Sequence, residues 1–201
     1  MLLRLISGLI GIPLLVLLVF TVDGIPFILG TGLISAIGLH EFYQGVRKTG
    51  ACPQEWVGLV YAFLFLLSAM NQFQYERFST PGVLTLFVIV TLVVELLRKN
   101  RSPIKNLGAT FFGAIYVGWL FSYLVAIYSI IGSTSLFESS FTVIMGGWLV
   151  LYVVFVVWAS DTAAYFIGRK WGTHKLSPEI SPGKSWEGFA AGLAASMVMS
   201  I

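Results

Sequence analysis

The side chains best suited to chemistry lie between Asp161 and Gly188. Asp161 follows a strongly apolar run and precedes a further apolar turn, so we expect its carboxylate below a membrane–water interface. An acidic group at that depth is by default a candidate functional residue. Its neighbours are small, and small residues let helices pack closely. A carboxylate on a closely packed helix suits a metal or ion site, with a buried structural hydrogen bond as the alternative.

The segment after Asp161 is basic. Residues 169–185 contain one acid, Glu179, and the following basic or titratable side chains: Arg169, Lys170, His174, Lys175 and Lys184. The run Ser181–Ser185 reads S-P-G-K-S, which predicts a tight turn with exposed backbone N–H groups and hydroxyls for phosphate oxygens, and with Lys184 as a point charge. The alternative is topology alone, because a basic cytoplasmic loop gains about 1 kcal/mol per cation from anionic lipids.

The composition decides the class of protein. Hydrophobic residues make up 57% of the 201 residues and charged residues only 10%, with a mean hydropathy of +0.89. Soluble domains carry about 25% charged residues, so this chain cannot cover a water-soluble surface. We expect an all-α, polytopic integral membrane bundle, with membrane lipids around it and no nucleic acid partner. The single cysteine, Cys52, excludes an intramolecular disulfide.

The apolar runs predict about seven spans in a single transmembrane domain over 1–201, with residues 169–185 as a basic cytoplasmic loop of the catalytic region. Each span needs roughly 20 residues. The predicted helices are 5–22, 25–43, 56–71, 82–97, 108–131, 141–167 and a seventh from Trp186. The seventh is still running at Ile201, so we expect further protein beyond that residue.

The distribution of charge predicts the orientation. With the N-terminus in the cytoplasm and the loops assigned alternately, eleven of the twelve Lys and Arg residues face the cytoplasm and only Arg77 faces outward. This is the positive-inside bias of multi-pass proteins. It predicts a multi-pass protein of the cytoplasmic (inner) membrane, with the N-terminus and the basic loop on the cytoplasmic side.

Two other carboxylates, Glu41 and Glu95, fall near predicted helix ends. The prediction for both is a solvated or ion-paired helix terminus, because an ionised group at the bilayer centre costs about 2.5–3.5 kcal/mol. Lys99 lies four residues after Glu95, which is the spacing of an ordinary helical ion pair.

Two linked motifs resemble the phosphatidate cytidylyltransferase family, also called CDP-diacylglycerol synthases. The first is S-D-T-A-A-Y-F-I-G-R, residues 160–169. The second is I-S-P-G-K-S-W-E-G-F, residues 180–189, after the intervening G-T-H-K-L-S-P. The resemblance covers about thirty residues. The family's main signature, ending in H-G-G-x-x-D-R-x-D, lies downstream of this region and is absent here.

The resemblance implies a nucleotidyltransferase that condenses CTP with phosphatidic acid, giving CDP-diacylglycerol and pyrophosphate with the help of Mg²⁺ or another divalent cation. It implies a homodimer. It places Asp161 in the catalytic metal region and assigns Lys184, with Ser181 and Ser185, to phosphate binding. Arg169, His174 and Lys175 are secondary candidates for phosphate binding. An ion-coupled transporter and a non-catalytic lipid-binding membrane protein remain the alternatives.

Overall fold

The computed structural model describes residues 2–20, 25–71, 80–98, 102–129, 140–179 and 181–201, with side chains for all of these except 2–10, 71 and 140–144. The elements in chain order are α1 (Leu2–Val19), α2 (Ile25–Arg47), α3 (Glu55–Asn71), α4 (Thr80–Leu97), α5 (Pro103–Gly113), a π-helical segment (Ala114–Trp119), α6 (Leu120–Ser129), α7 (Ser140–Trp171), β1 (Lys175–Ser177), β2 (Ser181–Ser185) and α8 (Trp186–Met199). The chain divides into two compact units, Met1–Gly147 and Trp148–Ile201.

The helices are those of a membrane protein. Within the described residues, four helical stretches are long and apolar enough to cross a bilayer, and Glu55–Met70 is a shorter apolar helix; the four are Ile25–Arg47, Thr80–Leu97, Pro103–Ser129 and Met145–Trp171. The predicted all-α, polytopic class is confirmed, with one small hairpin added. The count of seven spans stays a prediction. Helix α8 has 14 residues and ends at Met199, whereas the sequence predicted a helix still running at Ile201.

Helix α3 lies at the centre of the first unit, where it contacts α2, α4, α6 and the π-helical segment. One buried cluster joins α3 to α4 through Phe65 and Phe87, whose rings meet edge to face with centroids 6.0 Å apart. The π-helical segment packs backbone to backbone on α3, since a Cβ added to Gly118 would lie 2.7 Å from the Cβ of Ala62. Large apolar side chains point outward from the same helices, as lipid contact requires.

A buried polar cluster ties the ends of α3, α4 and α5 together, and Glu95 is its centre. The residue as a whole is 4% exposed. It accepts hydrogen bonds from Gln54 Nε2 at 2.8 Å and Asn106 Nδ2 at 2.7 Å, and Arg98 Nη1 lies 3.5 Å from it. The predicted ion-paired helix end is confirmed, with Arg98 as the partner, whereas the solvated alternative was wrong because Glu95 is buried.

Glu95 is buried because two of its partners come from other parts of the chain. Gln54 lies 41 residues away and Asn106 lies 11 residues away, so neither spacing belongs to the helical pattern of α4. Lys99, the predicted partner, lies outside the described residues. Glu41 is exposed, as a solvated helix end should be.

The Asn106 side chain should contribute strongly to the stability of the first unit. Its Nδ2 donates to Glu95, and its Oδ1 accepts from the backbone N–H of Cys52 at 2.7 Å. We expect Asn106→Ala to lower the free energy of unfolding by about 1–3 kcal/mol, because it leaves a buried carboxylate oxygen and a backbone donor unpaired. Thermal unfolding in detergent measures this, with the exposed neighbour variant Lys105→Ala as control. Equal melting temperatures for the two variants would contradict the structural role.

Candidate functional site

Helices α7 and α8 pack closely in the second unit through small residues. A Cβ added to Gly188 would lie 2.8 Å from the carbonyl oxygen of Ala164 and 3.0 Å from the Cα of Gly168. One added to Gly192 would lie 3.1 Å from the carbonyl oxygen of Ser160. The predicted close packing of small residues is confirmed, and it brings the helix that carries Asp161 against the helix that follows the basic hairpin.

Asp161 lies on a different face of α7 from this contact. Asp161, Tyr165 and Arg169 are four residues apart and therefore share one helix face. Arg169 Nη1 donates to Tyr165 Oη at 2.8 Å, and its guanidinium carbon lies 6.0 Å from the centroid of that ring. The Asp161 side chain is exposed at the surface of this unit, and its expected depth below the membrane–water interface stays a prediction. Helix α8 covers the neighbouring face and leaves this one open.

The basic segment is a hairpin rather than a simple loop. Helix α7 continues to Trp171, so Arg169 and Lys170 belong to its last turn. Strands β1 and β2 then pair antiparallel, with Lys175 opposite Ser185 and Ser177 opposite Ser181. The turn lies at residues 178–179. The predicted tight turn at 181–185 was therefore wrong, because pairing with β1 extends that stretch into a strand.

Strand β2 nevertheless presents the predicted basic residue outward. Between the paired positions β1 advances two residues while β2 advances four, so β2 bulges. Pro182, Gly183 and Lys184 lie in this bulge, and all three are exposed. Bulges commonly redirect a side chain next to functional sites. The ammonium group of Lys184 is thus available to a ligand, as phosphate binding would require.

The two serines that flank the bulge differ in accessibility. Ser181 is half-buried. Ser185 is 3% exposed and is the N-cap of α8, where its hydroxyl accepts from the backbone N–H of Gly188 at 3.2 Å. A capping serine satisfies an otherwise unpaired helix donor. Ser185 therefore fixes the start of α8 directly after Lys184.

A second contact, which the sequence did not predict, fixes the hairpin to α8. Glu187 Oε1 accepts from the Thr173 hydroxyl at 2.7 Å and lies 2.7 Å from His174 Nδ1. The backbone N–H of His174 also donates to this carboxylate, at 3.1 Å. His174 is therefore engaged by Glu187 rather than directed to open solvent alone. The available signal was an acid in the first turn of a helix preceded by a serine cap.

The charge of Glu187 is stabilised by these donors. The hydroxyl of Thr173, the backbone N–H of Glu187 itself and His174 hold the pKa of this carboxyl at about 2, below its ordinary value of 4.5. Glu187 therefore stays ionised at every physiological pH. Because His174 and Thr173 already occupy this carboxylate, Asp161 is the freer acid for a ligand.

The side chains of this site fit a magnesium ion only if substrate phosphates supply part of its coordination. Among the described residues, no three His, Cys, Asp or Glu side chains come together as a metal cluster. Mg²⁺ is commonly held by one or two carboxylates, with waters and substrate phosphates completing its octahedron. The exposed carboxylate of Asp161 fits that arrangement.

These features define an integral membrane protein with a basic, anchored hairpin at the end of an apolar helix. The sequence model described as "Cytidylyltransferase family" matches residues 2–201. The chain belongs to this family, and it is accordingly an enzyme of the nucleotidyltransferase class. The alternatives of a transporter and of a non-catalytic lipid-binding protein are set aside by this membership.

Curated relatives agree over most of the chain. A phosphatidate cytidylyltransferase of Bacillus subtilis is 29% identical over 204 residues, which cover 98% of this chain and 69% of the relative. That of Haemophilus influenzae is 27% identical, with 98% and 70% covered. One of Staphylococcus aureus (strain COL) is 30% identical, with 84% and 69% covered. No solved structure matches the chain.

Removal of the Glu187 charge should loosen the hairpin. We expect Glu187→Gln to speed amide hydrogen exchange at His174 and Trp186 by roughly tenfold at pH 7, since hydrogen bonds to a charged acceptor are lost. The matched control is Glu179→Gln, an exposed acid in the hairpin turn.

The protection of these amides against exchange should decrease as the pH falls. A carboxyl whose folded pKa is lowered stabilises the fold above its ordinary pKa, and this contribution is lost as pH falls toward the folded value. Protection in the unmodified protein should thus hold above pH 4.5 and decline between 4.5 and about 2. Exchange rates in Glu187→Gln equal to those of the control would contradict the contact.

Proposed function

We propose that this chain is a phosphatidate cytidylyltransferase, which transfers the cytidylyl group of CTP to phosphatidate and releases pyrophosphate. The observation that carries the proposal is the exposed bulge of β2, which presents Lys184 directly before the N-terminus of α8. The relatives bear this enzyme name, and the bulge gives their substrates, which are polyanions, a chemically suitable partner.

The phosphate-binding role falls to the hairpin. Lys184 supplies a compact positive charge on an exposed bulge, and the N-terminus of a helix adds a partial positive charge of roughly half an electron. Ser181 contributes a half-buried hydroxyl beside the bulge. Ser185 acts through its cap, which orients α8. Lys175, opposite Ser185 in the register, and Arg169 in the last turn of α7 are further cations that we assign to phosphate binding.

Asp161 is the acidic residue of the proposed site. Its carboxylate lies on the same helix face as Arg169, two turns away, which is about 12 Å along the axis. Asp161 would hold Mg²⁺ together with phosphate oxygens, and the ion when bound supplies charge neutralisation and alignment of the phosphates. His174 keeps the hairpin attached to α8 through Glu187.

The proposed reaction is an in-line phosphoryl substitution. An oxygen of the phosphatidate monoester forms a new bond to the α-phosphorus of CTP, and the bond from that phosphorus to the β-bridging oxygen breaks. Pyrophosphate leaves with the electron pair. Negative charge gathers on the leaving group and on the equatorial oxygens, so cationic side chains already in position lower the barrier. Lys184 and Arg169 are the groups proposed to do so.

The reaction requires a boundary between water and lipid. CTP is water-soluble, whereas phosphatidate stays in the bilayer. The strong bias of Lys and Arg toward one side supports an inner-membrane protein whose N-terminus and hairpin face the cytoplasm. We further propose that the enzyme works as a homodimer surrounded by membrane lipids, as the family resemblance implies.

Lys184 should be needed for turnover. We expect Lys184→Ala to lower kcat/KM for CTP at least ~100-fold, the scale on which one transition-state stabiliser acts, with an unchanged melting temperature. Lys184→Arg should also be impaired, since a planar fork does not replace a compact ammonium. The assay is CTP-dependent pyrophosphate release from phosphatidate vesicles, with Lys170→Ala as control. Normal kinetics in both Lys184 variants would give the hairpin a topological role only.

Asp161 should be needed for its charge rather than for its shape. Asp161→Asn keeps size and hydrogen bonding, but a neutral amide is a far poorer ligand for a hard cation. We expect a loss of at least ~100-fold in pyrophosphate release at saturating Mg²⁺, with thermal stability unchanged or slightly raised. Glu179→Gln, which removes an exposed charge from the same unit, should keep full activity. Near-normal turnover of Asp161→Asn would reject the metal role.

A further inference from the structure

A second candidate site lies in the first unit and contains none of the residues to which a catalytic or phosphate-binding role is assigned above. It is a pocket of about 260 Å³ where the C-terminal ends of α2 and α4 meet the N-terminal end of α3. Its lining residues, called here the basic pocket, are Arg47, Pro53, Gln54, Glu55, Trp56, Val57, Val94 and Arg98. We propose that the basic pocket binds the phosphate headgroup of an anionic glycerophospholipid.

In the basic pocket, each arginine side chain is more exposed than the glutamate with which it pairs. The Arg47 side chain is 47% exposed, whereas that of its partner Glu55 is 15% exposed. The Arg98 side chain is 35% exposed, whereas that of its partner Glu95 is 2% exposed. An approaching anion therefore meets two guanidinium groups first. Planar guanidinium groups match phosphate oxygens in a bidentate geometry.

Both arginines are held in place before any ligand arrives. Arg98 Nη1 donates to the carbonyl oxygen of Cys52 at 3.1 Å. Arg47 donates to Glu55, whose other oxygen contacts His40. These bonds use few of the five donors on each guanidinium, so donors remain for a ligand. Side chains already fixed lose less conformational entropy on binding, which favours affinity.

Glu95 contacts Arg98 only from the buried side. Its two short hydrogen bonds come from the neutral amides of Gln54 and Asn106, at 2.8 and 2.7 Å. The contact to Arg98 is the longest of the three, at 3.5 Å. The buried carboxylate thus orients Arg98 from behind while it also accepts two amide hydrogen bonds. The outer face of the guanidinium stays available.

The apolar part of the pocket selects a lipid over a free phosphate. Val57 and Val94 line it, and Trp56 at its edge is 82% exposed. Leu96 and Leu97, next to Arg98 in the chain, are 85% and 79% exposed. Exposed apolar side chains beside arginines at the end of an apolar helix are typical of the headgroup level of a bilayer. Only a ligand with both a phosphate and acyl chains contacts both kinds of surface.

The occupant is therefore a lipid of the surrounding membrane. Basic pockets between transmembrane helices on one membrane side bind anionic headgroups in this way. The inference rests on the first unit alone and does not depend on the proposed catalytic role of Asp161 and Lys184. Loss of lipid binding and loss of turnover can accordingly be measured separately.

The test compares two lipids with equal acyl chains, anionic phosphatidylglycerol and zwitterionic phosphatidylcholine. Purified protein in detergent is titrated with each lipid, and the bound lipid is counted by native mass spectrometry. We expect preferential binding of phosphatidylglycerol, weakened about tenfold or more in Arg47→Gln and in Arg98→Gln, the scale of a lost hydrogen bond between charged groups. Lys48→Gln removes the same charge next to the pocket and should change the affinity less than twofold.

Three outcomes would overturn the proposal. Equal binding of the two lipids would show that the site does not recognise the anionic headgroup. An equal loss in Lys48→Gln would show diffuse attraction rather than a site. Displacement of the lipid by millimolar inorganic phosphate or CTP would identify a site for a soluble phosphate instead. Arg98 also contacts buried Glu95, so Arg98→Gln can disrupt the fold. In that case the lipid affinity of Arg47→Gln alone tests the proposal.

Discussion

The scarcity of charge is the constraint on which the rest of this structure depends. With only 10% charged residues, the chain has few polar groups to place, and lipid offers no hydrogen bonds in exchange for them. Glu95 shows the result, because the start of α3 and helix α5 both supply partners to it at the end of α4. The Thr173, His174 and Glu187 contacts show it again at the start of α8. Both polar clusters lie at helix ends, where backbone N–H groups have no partner within the helix.

Much of the architecture was predictable because each span is encoded locally. The apolar runs at 25–43, 56–71 and 82–97 needed no knowledge of distant residues, and the observed helices begin and end within a few residues of them. The junction between α5 and α6 was less predictable. The run at 108–131 is a single apolar stretch in the sequence, and the π-helical turn at 114–119 follows from how it packs on α3.

The parts that sequence reasoning missed depend on pairs of distant residues. The hairpin has strands of three and five residues, and one of them contains Pro182 and Gly183, which are typical of turns. Only the register with β1 makes it a strand. Glu187 was missed because its donors lie 13 and 14 residues earlier. Periodicity alone also did not determine which face of α7 contacts α8.

The glycine contact between α7 and α8 has a mechanical consequence. Where Gly188 meets Ala164 and Gly168, the two helices touch backbone to backbone, and a backbone has no rotamers with which to absorb a displacement. A shift of α7 along its axis would therefore pass to α8 almost undiminished. Since Ser185 joins α8 to the bulge without a flexible linker, Lys184 would travel with it. The contact between Gly188 and α7 would thus couple an axial displacement of α7 to the position of the Lys184 ammonium group.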